Sequence, residues 1–303
     1  MKHIFVVNPK AGRVDRTPEI SAKLHSYDGK IDYEVYVTKS LGDAQVYVRD
    51  YLQNHDPKEI YRFYACGGDG TLYDVVNGAH GFPNAEVACL ALGSGNDFVK
   101  NFHDLEAFRD IDREINGKSK KIDLLKVDDK YCINITNYGF DGEVTFAQLK
   151  YKRRPFMTGP MAYKRAAAHC FFFKMNQPLK VSLDNKVVFD NKGLLVAIAN
   201  GYCYGGGYHC APNAVVDDGL IDVCIIKKVG RLKAAGFMKL FRSGDHVTNP
   251  KTKDYVIYDR AKRVVVESVK PVAYAIDGEV FRKGKIVVDI LPQDLSFVIP
   301  SDK

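Results

Sequence analysis

Ile60-Tyr61-Arg62-Phe63-Tyr64-Ala65-Cys66, then Gly67-Gly68-Asp69-Gly70-Thr71, then Leu72-Tyr73-Asp74-Val75-Val76-Asn77-Gly78-Ala79 is the stretch that decides how this chain is read. The first seven residues form a continuous apolar and aromatic run, the pattern of a buried strand. The last eight carry the apolar spacing of a short helix. A glycine-rich turn between a strand and a helix lets backbone N–H groups point at a phosphate, and the helix N-terminus adds partial positive charge. Asp69 is the unexpected member, because a carboxylate beside a polyphosphate is repulsive without a metal ion or a tight hydrogen-bond network. The five residues together therefore suggest a nucleotide phosphate with magnesium. The plainer alternative is an Asp-Gly turn with a helix cap.

Outward from this loop, the first 125 residues alternate strand and helix. Residues 3–7 read as a strand, ending in the turn Asn8-Pro9-Lys10-Ala11-Gly12. A helix is predicted over 18–27, with Thr17 as N-cap and Pro18 at its first position. A strand at 33–37 ends at Thr38, and a helix at 43–54 follows. Residues 86–92 form a further strand that ends in a second polar glycine loop, Gly93-Ser94-Gly95-Asn96-Asp97. This order predicts a mainly parallel sheet with helices on both faces. Ligands of such sheets bind at the carboxyl ends of the strands, where Asn8–Gly12, Thr38, Gly67–Thr71 and Gly93–Asp97 all fall.

Beyond residue 122 strand-like segments dominate: 121–127, 131–136, 179–183, 186–189, 193–199, 220–227, 264–267, 272–276 and 286–290. Helical stretches are predicted near 159–170 and 231–242. The reading is two domains, an α/β domain over 1–122, completed by 292–303, and a mostly antiparallel, β-rich domain over 123–291.

The 303 residues, with 46% hydrophobic and 27% charged, suit a soluble globular protein with two cores. The opening MKHIFVVNPKAG turns polar too early for a secretory leader, and no apolar run approaches the roughly 18 residues of a membrane span. Seven cysteines, at 66, 89, 132, 170, 203, 210 and 224, form no C-x-x-C pair and read as core residues of a reducing cytoplasm. The net charge of +7 is uneven: residues 144–183 hold eight Lys and Arg and no acid, so they carry +8 and the remainder sums to −1. Aromatic and apolar residues are interleaved there, among them Phe156, Met161, Tyr163, Phe172 and Phe173. Such a segment suits an anionic membrane surface. It also suits nucleic-acid phosphates, or a solvated face over an aromatic core.

Three further constellations carry candidate chemistry. Gly205-Gly206-Gly207, Ala211-Pro212-Asn213-Ala214 and Asp217-Asp218-Gly219 combine turn residues with paired carboxylates that would also suit a hard cation. Phe140-Asp141-Gly142-Glu143 and Ile276-Asp277-Gly278-Glu279 each place two carboxylates beyond a strand, an arrangement that can raise one pKa and make a general base. The second pair is favoured, because it follows the buried-looking run 271–275, whereas Asp141 runs into a predicted helix as its cap. The eight histidines are scattered, and neither Gly-x-Ser-x-Gly nor a Walker lysine motif occurs, which disfavours hydrolase and P-loop chemistry.

These motifs, in this order, resemble the diacylglycerol-kinase-like lipid kinases: soluble bacterial diacylglycerol kinases, YegS-type kinases, and sphingosine and ceramide kinases. The match rests on Asn8-Pro9 with Gly12, Gly67–Thr71 with Val75–Gly78, Leu92-Gly93 with Gly95–Phe98, Ile122-Asp123-Leu124, Gly206-Gly207, Ala211–Ala214, Asp217–Gly219 and Asp277–Glu279. The resemblance implies a phosphofructokinase-like or NAD-kinase-like α/β domain, a β-rich domain, and an active site in the cleft between them. It implies ATP contacts from Asn8, Thr38, Gly67, Gly68, Asp69, Gly70, Thr71, Ser94, Asn96 and Asp97. It implies that Asp69, Asp97 and Asp123 position a catalytic Mg2+, directly or through water. Asp218, with the carbonyls of Val215 and Leu220, resembles a second, structural Mg2+ site. Asp277 and Glu279 resemble the general-base region, either of them receiving the proton.

The activity so implied is transfer of the γ-phosphate of ATP to a lipid hydroxyl, diacylglycerol giving phosphatidic acid. The partner is a membrane lipid reached at the inner face of the membrane through the basic segment 150–180, not a nucleic acid, and homodimers are common among such kinases. Two departures stand out: Leu72-Tyr73-Asp74 where relatives often have Asn and Glu, and Ser94-Gly95 where many have Thr. Tyr73 is expected to crowd one edge of the nucleotide. The alternatives are a soluble-substrate kinase of the NAD-kinase type and a non-catalytic, nucleotide-responsive membrane-binding module.

Overall fold

The computed structural model describes every residue except 103, 153–156, 158 and 303, together with the side chains of 159, 160 and 235. Arg153, Arg154 and Phe156 of the basic segment therefore lie outside the described residues. The chain forms two compact units, Met1–Leu124 with Pro292–Lys303, and Leu125–Leu291.

The first unit alternates β1 (Lys2–Val7), α1 (Thr17–His25), β2 (Asp32–Val37), α2 (Asp43–Asn54), β3 (Tyr61–Gly67), α3 (Asp69–Ala79), β4 (Ala85–Ala91) and a short α4 (Ile111–Ile115). β1 pairs in parallel with both β2 and β3, and β3 with β4. The C-terminal return adds a further parallel contact, Phe297 opposite Val87. Every residue of β3 is buried, because helices cover both faces of a parallel sheet. Phe5, Tyr64, Leu90 and Val298 share one core cluster with Ile20 and Leu24 of α1. α1 begins one residue earlier than its pattern predicts. Thr17 is inside the helix, not its cap, and its N–H is taken by Asp15 Oδ1 at 2.8 Å.

The second unit contains β5 (Lys118–Val127, from residue 125 onward), β6 (Lys130–Cys132), β7 (Ile135–Gly139), α5 (Phe140–Lys152), α6 (Gly159–Phe173), β8 (Gln177–Leu183), β9 (Lys186–Ala199), β10 (Ile221–Lys227), α7 (Arg231–Ser243), β11 (Val256–Ala261), β12 (Arg263–Ile276) and β13 (Glu279–Ile299, up to residue 291). Its ladder runs β11-β10-β9-β7-β12-β13, antiparallel throughout, with β8 hydrogen-bonded to β9 and β12. Both halves thus have the class their patterns predict.

Four details differ from the sequence reading. The segment 131–136 is not one strand, because residues 133 and 134 turn their N–H groups to the Asp277 carboxylate. Residues 186–199 form a single strand, as do 263–276, the latter with a register shift between Glu267 and Val272. β11 is an addition. The seven cysteines are buried and form no disulfide. Among the described residues no helix is long and apolar enough to cross a membrane.

Candidate active site

In the first unit the glycine loop is tied to its neighbour by the shortness of its own residues. β3 ends at Gly67, Gly68 is extended at the N-cap, and Asp69 opens α3. The Gly67 carbonyl accepts from the N–H groups of Leu92 (2.8 Å) and Gly93 (3.0 Å), which brings the loop after β4 alongside. A Cβ on Gly93 would overlap the Gly68 Cα, and one on Gly95 would lie 2.6 Å from Asp69 Oδ2. Only glycine allows this approach. Asn96, at a positive φ of 48°, fastens the second loop to itself: Oδ1 accepts from Gly93 N–H at 3.1 Å and Nδ2 donates to Gly93 O at 2.8 Å.

Asp69 joins the two loops. Its Oδ1 accepts from the Asp97 N–H at 2.6 Å, and its carboxyl is pushed above the usual range, first by burial and then by the Asp97 charge. Lys100, one turn on, holds Asp97 Oδ1 in an ion pair. Asn8 Nδ2 donates to Thr71 Oγ1 at 3.1 Å, and Thr38 N–H donates to Val7 O at 2.9 Å. Gly70 and Ser94 are exposed. The ends of β1 and β2 thus lie together, and Asn8 links the end of β1 to the glycine loop, as the strand-end argument requires. Tyr73 is buried in α3, so it packs into the core instead of presenting a free edge.

Asp123 is placed differently. It is 0% exposed, and its Oδ1 accepts from the Gln293 N–H at 2.8 Å. No group of three or more His, Cys, Asp or Glu side chains that could hold a metal occurs among the described residues. Asp123 is thus held by the Gln293 N–H, and the Asp69–Asp97 hydrogen bond makes a pair of the other two aspartates. That pair still fits magnesium, which commonly takes one or two carboxylates and completes its shell with water and substrate phosphates.

At the second predicted metal site the Asp218 carboxylate is engaged by protein groups. Asp218 Oδ1 is held in a local turn by Leu220 N–H at 3.1 Å, and Oδ2 pairs with Arg260 Nη1 at 3.1 Å. Arg260 also reaches Asp222 Oδ1 through Nε at 3.3 Å and donates from Nη2 to Asn213 O at 2.8 Å. A guanidinium thus pairs with the carboxylate expected to hold a divalent cation, while Val215 is exposed at the loop surface. Arg260→Ala should lower the melting temperature by a few degrees. It removes the charged partner of Asp222, 1% exposed, and leaves that carboxylate only the Tyr258 hydroxyl at 2.6 Å, at a cost of about 1–2 kcal/mol once the partial exposure of Arg260 is allowed for. Chelating divalent cations should leave the unmutated protein's melting curve unchanged. A chelator-induced drop would show that a structural metal is bound there after all.

In the second unit Asp277 and Gly278 form the two-residue turn of the β12–β13 hairpin, with φ of 47° and 94° and Ile276 paired to Glu279. This is the turn class in which both residues take positive φ, which favours Asp-Gly. Gly278 is exposed and Asp277 half-buried, and the Asp277 carboxylate points inward. Oδ1 accepts from Asn134 N (3.1 Å), Ile135 N (3.0 Å) and Cys132 Sγ (3.2 Å), and Oδ2 from Ile133 N (2.8 Å). Burial pushes its pKa up to about 6, against the opposing pull of these donors. Oδ2 retains an acceptor position. Glu279 is exposed at the start of β13.

The other carboxylate pair divides its labour. Glu143 is a buried structural ion, accepting from Ala273 N at 3.1 Å and Arg282 Nη2 at 2.7 Å. Asp141 lies within the first turn of α5, accepts from the Tyr204 hydroxyl, and is pushed up to about 6 by burial. The sequence reading missed Lys100, Arg260 and the Asp141–Tyr204 contact. Only Lys100, three residues after Asp97, had a local signal.

Residues 2–127 match the diacylglycerol kinase catalytic domain, and residues 135–299 match the YegS C-terminal NAD kinase beta sandwich-like domain. The chain belongs to the diacylglycerol-kinase-like lipid kinases. It is a kinase of this family over nearly its whole length. Diacylglycerol kinase of Staphylococcus carnosus is 28% identical over 280 residues, covering 91% of this chain and 87% of that protein. The Staphylococcus haemolyticus diacylglycerol kinase is 28% identical over 282 residues, with 91% and 81% covered. The crystal structure of a diacylglycerol kinase from Bacillus anthracis str. Sterne superposes with a TM-score of 0.69 at 19% identity, covering 98% of this chain and 96% of that one, and supports the kinase's fold.

Proposed function

We propose that this kinase transfers the γ-phosphate of ATP to a hydroxyl of a membrane lipid, with diacylglycerol as acceptor and phosphatidic acid as product. The observation that carries the phosphate half of this reading is the joining of Gly67–Thr71 to Gly93–Asp97 through Asp69. Two glycine loops and the start of α3 then offer backbone N–H groups to the non-transferred phosphate oxygens. Bound magnesium would neutralise charge on the terminal phosphates. In this reading Asp69 and Asp97 hold it, and Asn8, Thr38 and Ser94 contact the nucleotide. Asp277 takes the acceptor's proton through Oδ2, held rigid by its three backbone donors. Diacylglycerol is favoured among lipid alcohols because the staphylococcal relatives carry that name.

Labelled ATP incubated with magnesium, the full chain and mixed vesicles containing diacylglycerol should place label in phosphatidic acid. NAD offered in parallel should remain unlabelled. Label on NAD, or no transfer to any lipid, would refute the proposal.

A further inference from the structure

The second unit carries an outward face that neither its fold nor its candidate base requires. α7 buries Ala234, Phe237 and Phe241 along one stripe. Its other side exposes Arg231, Leu232, Lys233, Lys239 and Arg242, and residues 231–244 contain no acid. Leu232 is 97% exposed, as open as a side chain on a folded surface can be. Beside it ends α6, where Phe172 is 57% and Phe173 75% exposed.

The two helix ends are locked together. Arg231 Nη2 donates to Phe172 O at 2.7 Å and Nε to Phe171 O at 3.3 Å, so its guanidinium occupies carbonyls of the last turn of α6, the end where a cation is favoured. Asn176 clamps the adjoining loops, Nδ2 donating to Val229 O and Oδ1 accepting from Val229 N–H, both at 3.1 Å. Leu232, Phe172 and Phe173 are therefore held on a preformed tip ringed by cations. The acids nearby are Asp254, beside Lys233, buried Glu143, 4.0 Å from Lys174, and Asp245, beyond the far end of α7. Of these only Asp254 adjoins an outward cation of α7, and Lys239 and Arg242 are not among the groups it faces.

Large apolar side chains left in water beside one another mark a contact site. Basic residues around them select an anionic partner. A bilayer containing anionic lipid fits both features, with cations at the phosphates and apolar side chains entering the acyl boundary. We infer that the tip formed by the C-terminal end of α6 and the N-terminal half of α7 is where this kinase docks on an anionic membrane, with Leu232, Phe172 and Phe173 as the inserted residues. The inference rests on the lipid-kinase reading for its purpose, and its test is separable from it. It assigns the contact to residues 172–174 and 231–242 instead of to the whole basic stretch 150–180.

The full chain should co-sediment with phosphatidylglycerol vesicles more strongly than with phosphatidylcholine vesicles, and added salt should weaken the binding. Leu232→Glu and Lys239→Glu, both on the outer side of α7, should each weaken it about tenfold or more. Their melting temperatures, and their rates on dispersed short-chain diacylglycerol, should match the unmutated protein. Binding by Leu232→Glu within twofold of the unmutated protein, or equal binding to both vesicle types, overturns the inference. A chain that phosphorylates short-chain diacylglycerol but ignores vesicles also overturns it while sparing the proposed function. Vesicle binding with these sensitivities but no lipid phosphorylation sustains the docking face and overturns the proposed function instead.

Discussion

Asp277→Asn should lower the kinase rate by about a hundredfold or more, the usual scale for removing a general base. The structure adds a cost the sequence does not show. The four donors on this carboxylate are the N–H groups of Ile133, Asn134 and Ile135 and the Cys132 thiol. An asparagine can keep one oxygen for them, but its amide nitrogen must then face another N–H. That mismatch costs about 1–3 kcal/mol and should appear as a lower melting temperature. The rate must therefore be measured well below the variant's transition, on protein shown to be folded. A folded Asp277→Asn enzyme with near-normal turnover would remove Asp277 from the mechanism. Glu279→Gln, on an exposed residue, should leave stability unchanged; loss of turnover there would move the proton acceptor to Glu279.

The pH profile separates a base from a mere turn residue. A base works deprotonated, and the Asp277 carboxyl is pushed up to about 6. The specificity constant kcat/KM should therefore fall as pH drops through about 6 and be level above about 7. Asp141 titrates in the same range, so the limb alone does not identify its owner. Asp141→Asn should keep the limb and Asp277→Asn should abolish it. A limb that disappears with Asp141 instead would reassign the role.

What could be read from the sequence divides along the range of the interactions involved. The first unit was legible because its signals are local: a buried run, glycines, then helical spacing fix β3, Gly67–Thr71 and α3 within twenty residues. The second unit was legible in class but not in its joints. Asp184-Asn185 and Asp190-Asn191 are the same dipeptide, yet only the first takes positive φ and makes a turn. The second lies inside β9. What separates them is that Asp184 Oδ1 accepts from Lys262 and Arg263 N–H, contacts almost eighty residues away. The break between β6 and β7 has the same origin, being imposed by Asp277 from over 140 residues downstream. Arg260 shows the limit for the candidate sites. Asp217-Asp218-Gly219 reads as cation chemistry, and the ion pair that Asp218 makes is with a side chain from β11 that no spacing announces.

Asp69 provides the second large effect, and two substitutions there test different halves of its role. Its Oδ1 accepts the Asp97 N–H that holds the two glycine loops together. Its burial and the neighbouring Asp97 already make a second negative charge unfavourable, as the raised pKa records. Lys100 offsets part of this charge through Asp97, and magnesium brought by ATP would offset more. Asp69→Asn leaves an oxygen for the Asp97 N–H, so the loops should stay joined and the melting temperature should change little. It removes one of the two carboxylates proposed to hold the metal, so turnover should fall by about two orders of magnitude or more. Raised magnesium should restore part of the rate if the defect is weaker metal binding. Asp69→Ala removes both functions and should show the same loss of rate with a lower melting temperature, about 1–3 kcal/mol from the unpaired N–H. If the Asn variant turned over at nearly the normal rate and only the Ala variant failed, Asp69 would be a loop tie and not a metal ligand. The Gly67–Thr71 loop would then bind phosphate through its backbone alone, and the metal would have to be held by Asp97 without it.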